Sequence, residues 1–211
     1  MACPAVLDPG RPEPVATLPR EEPAAYRRGE PRPEHDLDYF HGTLAVSPGQ
    51  EWIADNGWVW SPVGVVTAWN LRRWVEANVW ESEDGPSKRA LCRRAYFWDG
   101  PWCWGDNRTL AGWGYGQDNE WLIPAAWLFD VASGEEVRWF AGPTGTLVFD
   151  TYLFSLSEQS GTAVWDATTG ERLLLDPALR PTRYHRGAKQ FLTLLPDGSF
   201  QLSRLHKPPK G

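Results

Sequence analysis

Four carboxylates, Asp99, Asp106, Asp118 and Glu120, stand among Trp98, Trp102, Trp104, Trp113 and Trp121 in one stretch of the chain. Glycoside hydrolysis uses two carboxylates about 5–10 Å apart, one to protonate the leaving oxygen and one to attack or activate water. Exposed aromatic faces nearby can line a sugar, choline or methyl-lysine site. The same acids fall at strand ends and turns, where aspartate ordinarily caps the backbone. The stretch therefore reads in two ways: as a carbohydrate- or ligand-binding unit with hydrolytic potential, or as turn chemistry between packed sheets.

Other reactive groups are sparse. HDLDYFH (35–41) places His35, Asp36, Asp38 and His41 together, a set of types that could ligate a metal. In an extended strand, however, His35 and His41 lie about 20 Å apart, too far for one ion. The three cysteines, Cys3, Cys92 and Cys103, show no CxxC spacing, which argues against a zinc site or a disulfide framework and for reduced thiols. GWGYGQD (112–118) is a poor dinucleotide loop with no βαβ unit around it. A glycine-aromatic hairpin with close backbone approach is the better reading. No nucleophile elbow, HExxH or Walker motif occurs. No enzyme activity, metal or cofactor is expected.

Bulk properties narrow the class. The 211 residues suit one ordinary domain with a tail. A net charge of −6 gives no general basic field for nucleic acid. The basic pairs Arg72-Arg73 and Arg93-Arg94 read as solvated surface. No cationic start leads into an apolar run, and no stretch approaches the ~20 apolar residues of a membrane helix. A soluble, cytoplasmic protein is expected.

The elements that must position these residues are short strands. Residues 1–34 hold eight prolines and little apolar periodicity, and read as a disordered Pro-rich tail with no ligand pattern clear enough to name. Residues 206–211 form a C-terminal tail. Between them, GTLAVSPGQEWIADN (42–56) is a strand, a turn and a strand. VVTAWNLRRWVEANVW (65–80) begins as a strand, and Leu71, Trp74, Val75 and Val79 then take helical spacing. ESEDGPSKR (81–89) is a charged loop, part of an insertion of about 20 residues covering 77–94.

The segments AWNLRRW (68–74), AWLFDVASGEE (126–136) and AVWDATTGER (163–172) repeat one theme: a strand closing on an aromatic, then an Asx residue. The markers are Trp69, Phe129-Asp130 and Trp165-Asp166, with a fourth strand end near Ser203. Units that recur at this size bury their apolar faces by stacking. Four units fit residues 35–205. The second runs through AYFWDG, WCWGD, TLAGWGYG and AAWLFDV, and the last stops at FQLSRL without an outermost strand. The fold class is all-β.

At these residues the chain resembles the WD40-type β-propeller family. Trp165-Asp166 matches its signature dipeptide, and Phe129-Asp130 and Trp69-Asn70 are degenerate versions. LAVSPG (44–49) and LTLLPDGS (192–199) are similar to its strand-turn element. Phe40-His41-Gly42 and Tyr184-His185-Arg186 sit where its Gly-His pair falls. The resemblance implies a propeller or partial propeller of about four antiparallel blades. It also implies that DLDYF (36–40) or PVATL (14–18) is positioned to complete the last blade. If neither does, exposed strand edges invite pairing with another copy.

With this architecture the expected function is a non-catalytic scaffold that binds another protein. Trp102, Trp104, Trp113, Tyr115 and Trp121 are the candidate binding residues, flanked by Arg72, Arg73 and the insertion. The alternatives are a ligand-binding or hydrolysing propeller built on the second unit, and a piece of a longer array. Packing between sheets is the competing role for the tryptophans.

Overall fold

Runs of alternating or continuous apolar residues, each stopped by glycine, proline or an Asx turn, fold as antiparallel meanders. The computed structural model describes residues 39–60 and 62–204. The 1–34 segment, His35, Asp36, Asp38, Cys3, His206, the 206–211 tail and the candidate closing strand at 14–18 lie outside the described residues.

The first sheet is β1 (Tyr39–Val46), β2 (Trp52–Val59), β3 (Val63–Asn70) and β4 (Arg89–Ala95). The second is β5 (Trp102–Trp104), β6 (Thr109–Tyr115), β7 (Ile123–Asp130) and β8 (Glu135–Ala141). The third is β9 (Thr146–Phe149), β10 (Leu153–Ser157), β11 (Gly161–Trp165) and β12 (Arg172–Asp176). The fourth has three strands, β13 (Arg183–His185), β14 (Gln190–Leu194) and β15 (Phe200–Ser203). Every strand pairs antiparallel with its chain neighbour within the sheet.

Adjacent sheets bury their facing sides. Trp52, Val66 and Cys92 of the first sheet pack with Trp104, Leu110 and Phe129 of the second. Ala111, Leu128 and Phe140 of the second meet Leu147, Leu153 and Trp165 of the third. Phe154, Leu156 and Val164 of the third meet Phe191 of the fourth. The four sheets therefore stack as blades of a partial propeller, with tryptophan wedged at two of the three boundaries. The hairpins of the first strands are tied together: Gly49 donates to Asn107 Oδ1 at 2.5 Å, Arg186 to the Trp104 and Gly105 carbonyls, and Tyr184 to Asp150 at 2.8 Å.

The repeated theme has a mechanical reason. Trp69, Phe129 and Trp165 each close, or nearly close, the third strand of a sheet and are buried. Asp130 Oδ1 accepts from the Ala132 and Ser133 amides, and Asp166 Oδ1 from those of Thr168 and Thr169. Gly134 and Gly170, both at φ 81°, complete identical turns that L side chains would strain. Asn70 performs the same capping differently. Its Oδ1 accepts from the Arg73 amide at 2.9 Å and starts helix α1 (Leu71–Glu76).

Two sequence expectations are corrected here. The insertion is 71–88 rather than 77–94, because Arg89–Ala95 is the outer strand of the first sheet. Arg94 is not a solvated surface residue. Strand alternation leaves Arg93 exposed and turns Arg94 inward, where it is 2% exposed.

The insertion also covers the face of the first sheet turned away from the second. Trp74 of α1 meets Trp69 edge-on at 5.6 Å between centroids. Lys88 lies over the Tyr39 ring at 5.2 Å, and Glu83 reaches His41 Nε2 at 3.3 Å. Glu81, inside the predicted charged loop, is 1% exposed and accepts from both the amide and hydroxyl of Ser87.

Candidate functional site

Strand direction gives the array two ends. At one end β1, β3, β5 and β7 begin and β2, β4 and β6 finish. Tryptophan, tyrosine and phenylalanine concentrate there. Phe40 stacks on Trp58 at 4.3 Å, Trp60 meets both edge-on, and Trp58 reaches Trp98 at 6.2 Å.

The segment after β4 builds the centre of this end. Tyr96 turns the chain at φ 55° while its amide donates to the Pro62 carbonyl at 3.0 Å. Gly100 and Pro101 then redirect it into β5, and Asn56 Nδ2 holds the Gly100 carbonyl at 3.1 Å. The arch this makes encloses an open cleft of about 530 Å³, lined by Tyr96, Phe97, Trp98, Pro101, Trp113 and Thr146 with Asp99 at its edge. Asp99 is the one charged side chain in that lining. Residues 95–100, expected to open the second unit as a strand, are instead this arch: β4 ends at Ala95 and β5 starts at Trp102.

Behind the Phe97 wall lies a buried cation. Arg94 donates to the Trp113 carbonyl at 2.7 Å and the Gly114 carbonyl at 2.8 Å. Its guanidinium lies 5.4, 5.4 and 5.2 Å from the rings of Phe97, Trp102 and Trp127. Burial lowers its pKa against the opposing pull of Cys92, and the partners are carbonyls, that thiol and ring faces rather than a carboxylate. The arrangement pins the inner wall of the cleft to the second sheet.

The seven predicted binding residues do not form one surface. Trp104 is a buried wedge whose Nε1 donates to Ala45 O at 3.1 Å. Trp102 is half-buried over Gly112, where an added Cβ would come within 2.6 Å of its ring. Trp113 lines the cleft and donates to Pro143 O at 3.0 Å. Tyr115 stacks on Trp139 at 4.1 Å on the outer rim, and Trp121, on a single 3-10 turn after β6, is 76% exposed. Arg72 and Arg73 sit on α1 at the opposite end of the strands, with Arg72 paired to Glu76 at 2.7 Å. The sequence reading missed Phe40, Trp58, Trp60, Tyr96, Phe97 and Trp98. The run Tyr96-Phe97-Trp98 before Gly-Pro was the available signal, since three consecutive rings cannot all face one side of a strand.

The acids divide in the same way. Asp106 lies in the β5–β6 turn at the far end, accepting from Arg108 and Thr109 amides. Asp118 Oδ1 caps the 3-10 turn through the Glu120 amide at 3.0 Å. Asp99 is left without a second carboxylate in the cleft lining, so the geometry offers no acid pair for hydrolysis there. Among the described residues no His, Cys, Asp or Glu group is arranged for a metal, and Cys92 and Cys103 are free. No described helix is long and apolar enough to cross a membrane.

Comparison with known proteins adds little beyond shape. No family model and no curated protein matches the chain. Among solved structures it is similar to the C-terminal WD40 domain of Sif2, at 10% identity and a TM-score of 0.33, over 78% of this chain. The match spans 66% of that domain's length.

Proposed function

We propose that this chain is a non-catalytic recognition module that binds a protein partner through its aromatic end. One observation carries the reading: large rings lie exposed around an open cleft, with Trp60 at 64% and Tyr96 at 60% exposure. Most other tryptophans are covered by packing, so these rings are not left out for want of a core. Contiguous exposed apolar surface rimmed by polar groups is typical of interaction sites, and Trp and Tyr dominate their energetics. Free Cys92 and Cys103 accord with a reducing, cytoplasmic setting.

The test is affinity capture from the native host with the wild-type chain and a Trp60→Ser/Tyr96→Ser variant. Both side chains are exposed, so the variant is expected to keep its circular dichroism and melting midpoint while losing its partners. Equal recovery with both chains would show that recognition lies elsewhere, with Trp113→Ala and Trp121→Ala reporting on the inner and outer parts of the same end.

Self-association has its own observation. Among the described residues β15 pairs only with β14, and Leu194, Phe200 and Leu202 are 60%, 63% and 52% exposed on that sheet. Such an edge is a template for another strand. Light scattering of the wild-type chain against Leu202→Lys distinguishes a dimer built on this edge, which the substitution disperses, from a monomer, which it leaves unchanged.

A further inference from the structure

We propose that the cleft takes an extended, proline-rich peptide with a basic residue at one flank. This deepens the recognition reading and rests on it. Hydrogen-bond inventory is what selects the ligand class. Several packed tryptophans spend their indole N–H groups inside the protein: Trp104 on Ala45, Trp113 on Pro143, Trp127 on Glu136 and Trp165 on Ser155, while the buried Trp69 Nε1 has no partner. Among the described residues the indole N–H groups of Trp58, Trp60 and Trp98, and the Tyr96 hydroxyl, make no hydrogen bond. The aromatic end therefore presents several donors set in apolar rings, and the cleft supplies a single charged acceptor, Asp99.

A ligand complementary to that surface is rich in acceptors, poor in donors and flat enough to lie on rings. A polyproline II segment has these properties. Proline brings no N–H, its carbonyls project outward unpaired, and its pyrrolidine faces pack on aromatic rings. Sugars carry a donor on every hydroxyl and would leave most of them facing one acceptor. An alkylammonium seated deep against Phe97 would meet the buried, carboxylate-free charge of Arg94 on the other side of that ring. A basic side chain fits only at the rim, beside Asp99. The open form of the cleft and the run of rings from Trp60 through Trp58 to Trp98, with contacts of 5.4 and 6.2 Å, suit an extended chain rather than a compact ligand.

The experiment is fluorescence anisotropy of labelled Arg-(Pro)9 and Arg-(Ala)9 peptides with the full chain, beside tetramethylammonium and cellohexaose titrations followed by tryptophan emission. Saturable binding of the proline peptide is expected, about tenfold tighter than the alanine peptide because its conformation is pre-set. Trp98→Phe and Tyr96→Phe keep the rings and remove one donor each, and each is expected to weaken binding about fivefold. Asp99→Asn is expected to abolish the preference for Arg-(Pro)9 over Gly-(Pro)9. Equal affinity for the alanine peptide, indifference to both ring-preserving variants, or saturation by tetramethylammonium or cellohexaose alone would overturn the proposal. If partner capture depends on Trp60 and Tyr96 while no proline peptide binds, the ligand class falls and the recognition surface stands; if capture is also indifferent, both fall.

Discussion

Arg94 of the first sheet holds the main-chain oxygen of Trp113 in the second at 2.7 Å, joining an outer strand of one blade to the ring that lines the cleft. A buried guanidinium bridging two carbonyls is difficult to replace, because both oxygens lose their partner when it goes. Lysine has one nitrogen and cannot fork to both Trp113 and Gly114. Arg94→Lys is therefore expected to cost about 1–3 kcal/mol and to loosen the cleft wall. The urea midpoint checks the first effect. An unchanged midpoint would mean that the contact is not an anchor.

The Asx turns predict an acid dependence. Burial alone would raise the Asp130 carboxyl, but Arg108 and the Ser133 and Ala132 amides outweigh it and hold the group below its ordinary value. Asp106 is likewise lowered, its desolvation outweighed by the Arg108 and Thr109 amides. A carboxyl whose folded pKa is depressed lends stability above the unfolded value, about 3.9, and that stability is lost as pH falls through the folded value. Denaturation midpoints are expected to fall below about pH 4. Asp130→Asn should flatten part of that slope, and a parallel slope in the variant would assign the acid sensitivity to other groups.

The thiols make a third case. Burial pushes Cys92 up to about 11 and Cys103 up to about 12, with Arg94 and Arg186 respectively pulling in the other direction without prevailing. Thiolate is the reactive form. In a Cys3→Ser chain at pH 8, Ellman's reagent is expected to find no fast-reacting thiol until denaturant is added, when both react together. Rapid labelling of the native chain would show that a boundary opens, that between the first and second sheets for Cys92 or between the second and third for Cys103.

What was legible in the chain was its repeat. Trp69, Phe129 and Trp165 mark the ends of third strands because the turn that follows each needs an Asx carbonyl acceptor, and two of the three need a glycine at positive φ. That the last sheet has three strands among the described residues accords with the sequence reading of its last unit. Arg94 could not be placed, since its partners are main-chain oxygens that carry no residue signature, and a neighbouring Arg93 made both look solvated. The outer strand of the first sheet was hidden inside a charged stretch, and a bulge between Val66 and Thr67 breaks its alternation.

The recognition end was less legible for a geometric reason. Phe40, Trp58, Trp60 and Trp98 come from three separate segments, and only the direction of the strands brings them to one end. Arg72 and Trp121 look like neighbours of one surface in a list of exposed cations and rings. An odd number of strand reversals separates them.

The cover over the first sheet gives the last prediction. In the interior of a stacked array each sheet face is buried by the next sheet, yet here Trp69, fully buried, is covered by Trp74 from the chain's own insertion. Trp74 is itself fixed by donating to Val79 O at 3.1 Å, and the loop behind it by Asn78 and Ser87 converging on the Glu81 carboxylate. Burial would raise that carboxyl, but the bonds from Ser87 and Asn78 outweigh it and keep it below the usual range. The insertion thus works as a terminal cap of the kind stacked repeats require. Trp74→Ala is expected to cost about 2–4 kcal/mol, to expose Trp69 to solvent and to promote association through the first sheet. Glu81→Ala should do the same through the loop, since the Ser87 amide loses its acceptor. Tryptophan emission and light scattering follow both changes, and a variant that stays blue-shifted at unchanged mass would show that the face is closed by something other than Trp74.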